Sequence, residues 1–201
     1  MKRQAEYRRK TAETEIKAAL TIEGNGDSTI DTPIGFLNHM LATFARHGRF
    51  DLELKAAGDL HVDQHHLIED CGLVLGSVFA RALRDKKGID RAGYFVFPMD
   101  EALAVAAVDL NGRPYLQFDM SFQRRTCGDL DTDLMESFFH ALATGLQANL
   151  VMRMPYGHND HHKLEAAFKA LGKALSMACV RGGDPENILS TKGVIDDHRN
   201  R

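Results

Sequence analysis

From residue 12 to 24, in AETEIKAALTIEG, apolar side chains fall at alternate positions (Ile16, Leu20, Ile22) and a glycine follows. A period of two over that length predicts a half-buried strand closed by a turn. The alternation returns in DEALAVAAVDLNG, residues 100–112, at Ala104, Val108 and Leu110. Elsewhere the period is helical. IGFLNHMLATFARHG, HHLIEDCGLVLGSVFARAL, TDLMESFFHALATGL and HHKLEAAFKALGKAL predict amphipathic helices over 34–48, 65–83, 132–146 and 161–175. Short extended segments, FDLELKAAGDL (50–60) and ANLVMRM (148–154), lead into the second and fourth of these.

Those two helices open on the same pattern, H-H-x-x-E, at positions 65 and 161, an offset of 96. The two alternating strands also superimpose, which places Glu13 opposite Glu101. The chain therefore reads as a repeat: one domain over 1–201, built from two pseudo-repeats of about 1–90 and 91–190. Each half carries β-strands and two helices. The expected class is α+β, an internally duplicated half with pseudo-twofold symmetry and sheet packed against helices. Glycine and proline are scattered, so no linker separates the halves. The tail from 181, RGGDPENILSTKGVIDDHRNR, is turn-rich, with order expected over only part of it.

Composition narrows the function classes. At 201 residues the chain is long enough for one sizeable core, and 44% hydrophobic with 26% charged residues is a globular composition. A formal charge of −3 argues against a nucleic-acid partner held by bulk electrostatics, so an anionic ligand needs a local cationic cluster. The cysteines at 71, 127 and 179 form no CxxC and suit a reducing compartment. The amino terminus, MKRQAEYRRK, is charged, and no apolar run approaches membrane-spanning length, so we expect a cytoplasmic protein without a membrane partner.

The doubled motif carries the chemistry. On a helix His65 and Glu69 share one face, as do His161 and Glu165, while His66 and His162 point about 100° further round. One such helix offers an imidazole and a carboxylate to one ion and its second imidazole to another. Two helices related by a pseudo-twofold would give two sites: His65, Glu69 and His162 around one, His66, His161 and Glu165 around the other. Imidazole plus carboxylate without thiolate suits Mn, Fe, Co, Ni or Zn and speaks against a purely structural zinc site. A lone histidine is usually an ordinary hydrogen-bonded residue. The same pair with its glutamate at both places of a repeat is not.

The segments GFLNHML (35–41), GDLHVDQHHLIEDCGLVLG (58–76), MDEALAVAAVDLNGRPYL (99–116), NDHHKLEAAFKAL (159–171) and STKGV (190–194), taken together and in this order, resemble the imidazoleglycerol-phosphate dehydratase family. The resemblance implies a duplicated α+β half, two Mn²⁺ per active site, and a large symmetric homo-oligomer of 24 subunits with sites at subunit interfaces. It implies dehydration of imidazole glycerol phosphate to imidazole acetol phosphate in histidine biosynthesis. The metal ligands it implies are His39, His65, His66, Glu69, His161, His162 and Glu165. For the phosphorylated imidazole substrate it implies contacts from Glu13, Arg91, Arg113, Ser190, Thr191 and Lys192, together with His39, His65, Glu69, His161 and Glu165. Glu13, Glu69 and Glu165 are the implied catalytic groups. The chain departs from the pattern at Gln64 and Asn38, where acids are usual, and at Ser137 and near Val151, where the family often has histidine. His140, a turn beyond Ser137, is an expected substitute.

Such a substrate sets its own mechanism, because the proton to be lost sits on a carbon that no carbonyl activates. A ring bridging two metals as imidazolate would expel the neighbouring hydroxyl to give a diazafulvene, whose adjacent C–H becomes acidic enough for a base. Two other classes fit parts of the pattern. A dinuclear hydrolase would rely on bridging carboxylates, of which the motifs supply few. A metal-storage oligomer would not need the Arg and Lys set.

Overall fold

The computed structural model describes residues 2–182 and 184–195. Residues 196–201 of the turn-rich tail lie outside the described residues. The first half runs β1 (Gln4–Lys10), β2 (Thr14–Thr21), β3 (Ser28–Asp31), α1 (Gly35–Gly48), β4 (Asp51–Gly58) and α2 (His65–Leu83). The second runs β5 (Ala92–Met99), β6 (Ala102–Asp109), β7 (Tyr115–Asp119), a small hairpin of β8 (Thr126–Cys127) and β9 (Leu130–Asp131), then α3 (Met135–Leu146), β10 (Asn149–Tyr156) and α4 (Asp160–Ala178).

The two sheets have the same plan. Their strand orders are β1-β2-β4-β3 and β5-β6-β10-β7, and in each the last pair is parallel and the others antiparallel. The alternation read from sequence emerges as burial: Ile16, Ala18 and Leu20 of β2 and Ala102, Ala104 and Ala106 of β6 are all buried, with less buried neighbours between them. These side chains leave water on one face only, the condition under which period two is informative.

Helices α1 and α2 lie on the first sheet, α3 and α4 on the second, and across the halves α2 packs on α3 and α1 on α4. The helices thus form a shared layer between the sheets. Small residues set the closeness of these crossings. A methyl group at Gly72 or Gly76 would overlap a carbonyl of α3, and one at Gly172 would overlap the Phe44 carbonyl of α1. Aromatic clusters tie each half internally: Phe44, Phe50 and Phe79 in the first, Phe138, Phe139 and Phe168 in the second. Truncating one of these buried rings to alanine costs about 3–5 kcal/mol.

α1 and α3 end alike. The N–H of Arg49 (φ 57°) bonds the Ala45 and Arg46 carbonyls, and that of Gln147 (φ 56°) bonds Ala143 and Thr144. This left-handed cap fixes the register between the two helices. It makes Ser137 the positional counterpart of His39. No helix among the described residues is long and apolar enough to cross a membrane.

Candidate metal centre

His161 and Glu165 sit one turn apart on α4, and the crossing of α1 brings His39 to them. His39 Nε2 lies 3.3 Å and His161 Nε2 3.1 Å from the same Glu165 oxygen, Oε2. These donors lie within 4.8 Å of one another, the group of three that converges among the described residues. Phe36, one turn before His39, packs edge-on against the His161 ring at 5.0 Å between centroids. The other carboxylate oxygen of Glu165 is held by Lys169 Nζ at 2.8 Å. Burial works against the charged Glu165, but Lys169 and the two imidazoles outweigh it and hold the pKa below the ordinary value. Two imidazole nitrogens and a fixed carboxylate oxygen, with both histidines about half exposed, make a donor set that fits a divalent transition ion.

The second histidine of each pair is turned away, as helical spacing requires. The His161 and His162 rings stand 6.2 Å apart at 82°, those of His65 and His66 6.2 Å apart at 83°. His162 Nδ1 pairs with Glu101 Oε2 at 2.8 Å, and Glu101 also accepts the His158 and Asn159 N–H groups ahead of α4. The bond to His162 heads the causes that push the Glu101 pKa down to about 2, and the same bond raises that of His162. His66 Nδ1 is held by the Asp59 carboxylate at 3.2 Å, chiefly for which its pKa is raised, and Glu13 Oε2 stands 3.8 Å away. Anchoring Nδ1 directs Nε2 outward, the arrangement in which carboxylates orient ligand imidazoles.

Within one chain His66 does not join His161 and Glu165; His39 takes that place. His65 and Glu69 are half-buried at the start of α2, and no third donor converges with them among the described residues. Ser137 is half-buried, and His140 is exposed rather than turned to α2. Spacing along one helix reveals which residues share a face, but not which neighbouring helix completes the set.

The cationic residues gather elsewhere. Arg91 makes a two-pronged pair with Asp109 (2.7 and 2.9 Å) and donates to the Leu189 carbonyl at 2.5 Å, which ties the tail to the end of β6. There Ser190 accepts the Lys192 N–H at 3.2 Å, and the Gly193 N–H closes the turn on the Ser190 carbonyl. Thr191 is exposed beside them. Arg113 is exposed at the same end of the sheet, its carbonyl taken by Asn149. The Arg91 N–H bonds Ala178 at the far end of α4 from His162. At 1.5 Å per residue that separates the two groups by roughly 25 Å.

Sequence reasoning did not find the recess beside the metal group. It holds about 500 Å³ and is lined by Thr43, Arg46, His47, Glu165 and Lys169 among others. Its signal was available in part: Lys169 follows Glu165 at i,i+4, a spacing that pairs side chains on a helix. Arg46 gave none, because a basic residue in the last turn of a helix is explained by the helix dipole alone.

The imidazoleglycerol-phosphate dehydratase family model matches residues 32–175. A protein of that name from Caldicellulosiruptor bescii is 48% identical over 193 residues, 96% of this chain and 98% of its own. One from Lactiplantibacillus plantarum is 50% identical over 193 residues, 96% and 100% of the two chains. Among solved structures, the dehydratase of Pyrococcus furiosus superimposes with a TM-score of 0.80 at 35% identity, covering 94% of this chain and 99% of that one. The dehydratase of Staphylococcus aureus gives 0.78 at 36% identity, covering 88% and 99%. The chain belongs to the imidazoleglycerol-phosphate dehydratase family.

Proposed function

We propose that this hydro-lyase dehydrates imidazole glycerol phosphate to imidazole acetol phosphate in histidine biosynthesis, with two divalent ions, Mn²⁺ by resemblance, at each site. The observation that carries the reading is the convergence of His39, His161 and Glu165 in a chain of this family, with His65 and Glu69 repeating the motif on α2. We read the chain as one catalytic unit of two pseudo-repeats, 1–90 and 91–190.

His39, His161 and Glu165 would hold one ion, and His65 and Glu69 would contribute to the other, with His66 and His162 presenting their outward nitrogens to ions or ring. When bound, two such ions supply Lewis-acid stabilisation of negative charge on the imidazole ring as the hydroxyl leaves. Asp59 and Glu101 keep the second histidines in the tautomer whose Nε2 faces outward. Lys169 fixes Glu165 so that its other oxygen stays aimed at the two imidazoles. Glu13, exposed beside His66 at the head of β2, is the group we assign to the proton of the carbon next to the ring.

The distance between cations and metal ligands supports a shared site. Roughly 25 Å along α4 far exceeds the reach of a phosphorylated three-carbon chain. We therefore assign Arg91, Arg113, Ser190, Thr191 and Lys192 of one copy to the phosphate of a substrate whose ring lies on the metal ligands of another. The recess with Lys169 and Arg46 would flank that junction. A symmetric homo-oligomer, 24 subunits by resemblance, follows from the same need.

The direct test is turnover. Purified protein with Mn²⁺ and imidazole glycerol phosphate should form the keto product, and mixtures of Arg91→Ala and His161→Ala chains should regain part of the activity each lacks alone. Absence of product under any metal would refute the reaction. Product without complementation would refute the shared site.

A further inference from the structure

The stretch Ser121–Asp131 bonds to the start of all three helices that carry metal-type ligands. At α4, Asp160 Oδ2 accepts the Gln123 and Arg124 N–H groups at 3.0 and 2.8 Å, and Lys163 Nζ reaches the Ser121 carbonyl at 3.0 Å. Asp160 and Lys163 are both buried and pair with each other. At α1, which has no side-chain cap of its own at Ile34, the Asp129 carboxylate accepts Gly35 N–H at 2.6 Å and Phe36 N–H at 2.8 Å. At α2, Gln64 donates from Nε2 to the Asp129 carbonyl at 2.7 Å and accepts the Asp131 N–H at Oε1 at 3.1 Å.

The residues so gripped are the immediate neighbours of the ligands. Asp160 precedes His161, Gln64 precedes His65, and Phe36 lies one turn before His39 with its ring on His161. The strap is itself fixed: Leu130 and Cys127 are buried, and Thr132 Oγ1 bonds the Arg124 carbonyl at 2.7 Å. Gly128 turns the hairpin at φ 59° with its backbone close against Phe36, a place where a side chain would be strained. Gln64 pairs with the hairpin as a strand residue would, one donor and one acceptor. Only a carboxamide side chain offers that combination at this reach; a carboxylate has no donor for the Asp129 carbonyl.

We infer that the Ser121–Asp131 strap sets the mutual register of the two metal half-sites, with Gln64 and Asp129 as positioning residues. The inference rests on the dimetal reading above. An ordinary capping role would lower stability wherever a cap is lost; a positioning role changes metal affinity in a protein that remains folded. Ligand-orienting groups of this kind typically change metal affinity 10–100-fold when removed.

The experiment measures Mn²⁺ affinity by calorimetry, well below the melting temperature, for wild type, Asp129→Ala, Gln64→Ala, Gln64→Glu and Asp51→Ala. Asp51 is a matched control: its carboxylate also accepts two backbone N–H groups, at 2.7 and 3.2 Å, but follows the opposite end of α1. Gln64 is only half-buried, so its variants keep the test alive if Asp129→Ala does not fold. We expect about 10–100-fold weaker Mn²⁺ binding in the strap variants and wild-type affinity in Asp51→Ala. Equal affinity in all five, or an equal loss in Asp51→Ala, overturns the positioning role. A wild type that binds no Mn²⁺ overturns the dimetal reading itself, and this inference with it.

Discussion

The two HHxxE helices are near copies, yet they sit in different company. On α4, His161 and Glu165 meet His39 from α1, and three donors face one another. On α2, His65 and Glu69 meet α3, where the counterpart of His39 is Ser137. A helix supplies two donors by its own periodicity; the third depends on what crosses it. The strands differ in the same manner. Glu101 is locked by His162 and two N–H groups, with its pKa near 2, whereas its counterpart Glu13 is exposed and 3.8 Å from His66. Equivalent places in a repeat can thus hold a locked carboxylate in one half and an exposed one in the other.

The largest effect should fall on the acid that is not locked. Glu13→Gln is expected to lower kcat by about 10²–10⁴ with KM nearly kept, because only proton transfer is lost. Steady-state kinetics at wild-type kcat would remove Glu13 from the mechanism. Next comes Glu165→Gln, which leaves His39 and His161 without the charged oxygen they share. Loss of about a hundredfold in kcat and of one bound Mn²⁺ per chain is expected, checked by elemental analysis alongside the assay. Ser137→His sharpens the comparison in the other direction. An imidazole at the place His39 occupies in the other half should tighten Mn²⁺ on the α2 side by about tenfold, read by calorimetry. Unchanged affinity would mean that the two crossings differ in more than one residue.

The smallest effect is that of pH. His66 and His162 have pKa values raised above the ordinary 6.5 by Asp59 and Glu101. Their contribution to the stability of the metal-free protein is therefore present below about 6.5 and is lost as pH rises through the raised values. Metal binding has the opposite sign, since an ion must displace the proton, so Mn²⁺ affinity should increase from pH 6 to 8. Glu101→Gln should move the His162 transition down toward 6.5 while the His66 transition stays, as histidine NMR titration would show.

Much of this was legible in the chain. The strands read from the sequence, β2 and β6 by alternation and β4 and β10 as short extended segments, are all central; β1, β3, β5 and β7, which were not read, are all edge strands. For β1 the reason is burial. β1 alternates between exposed and half-buried residues, so its sequence, QAEYRRK, carries no apolar signal. Within the site, the pairs His65–Glu69 and His161–Glu165 followed from helical spacing, and His39 came only through the family resemblance. Lys169 was marked only by its i,i+4 spacing to Glu165, and Gln64 only as a departure from the family pattern. Arg46 and Asp129 carried no signal, because one lines a recess and the other contacts a distant segment, which spacing does not encode. The Gly-Asp turn of the strap looks like any surface hairpin until its carboxylate is seen on α1.

If the doubled motif makes two metal positions that act together, metal titration will show it. Protein stripped by chelator would be titrated with Mn²⁺ while bound ion and turnover of imidazole glycerol phosphate are followed together. The expected result is no turnover in the stripped protein and activity that saturates only as the second ion per chain binds. Full activity at one ion per chain, or turnover without metal, would contradict it.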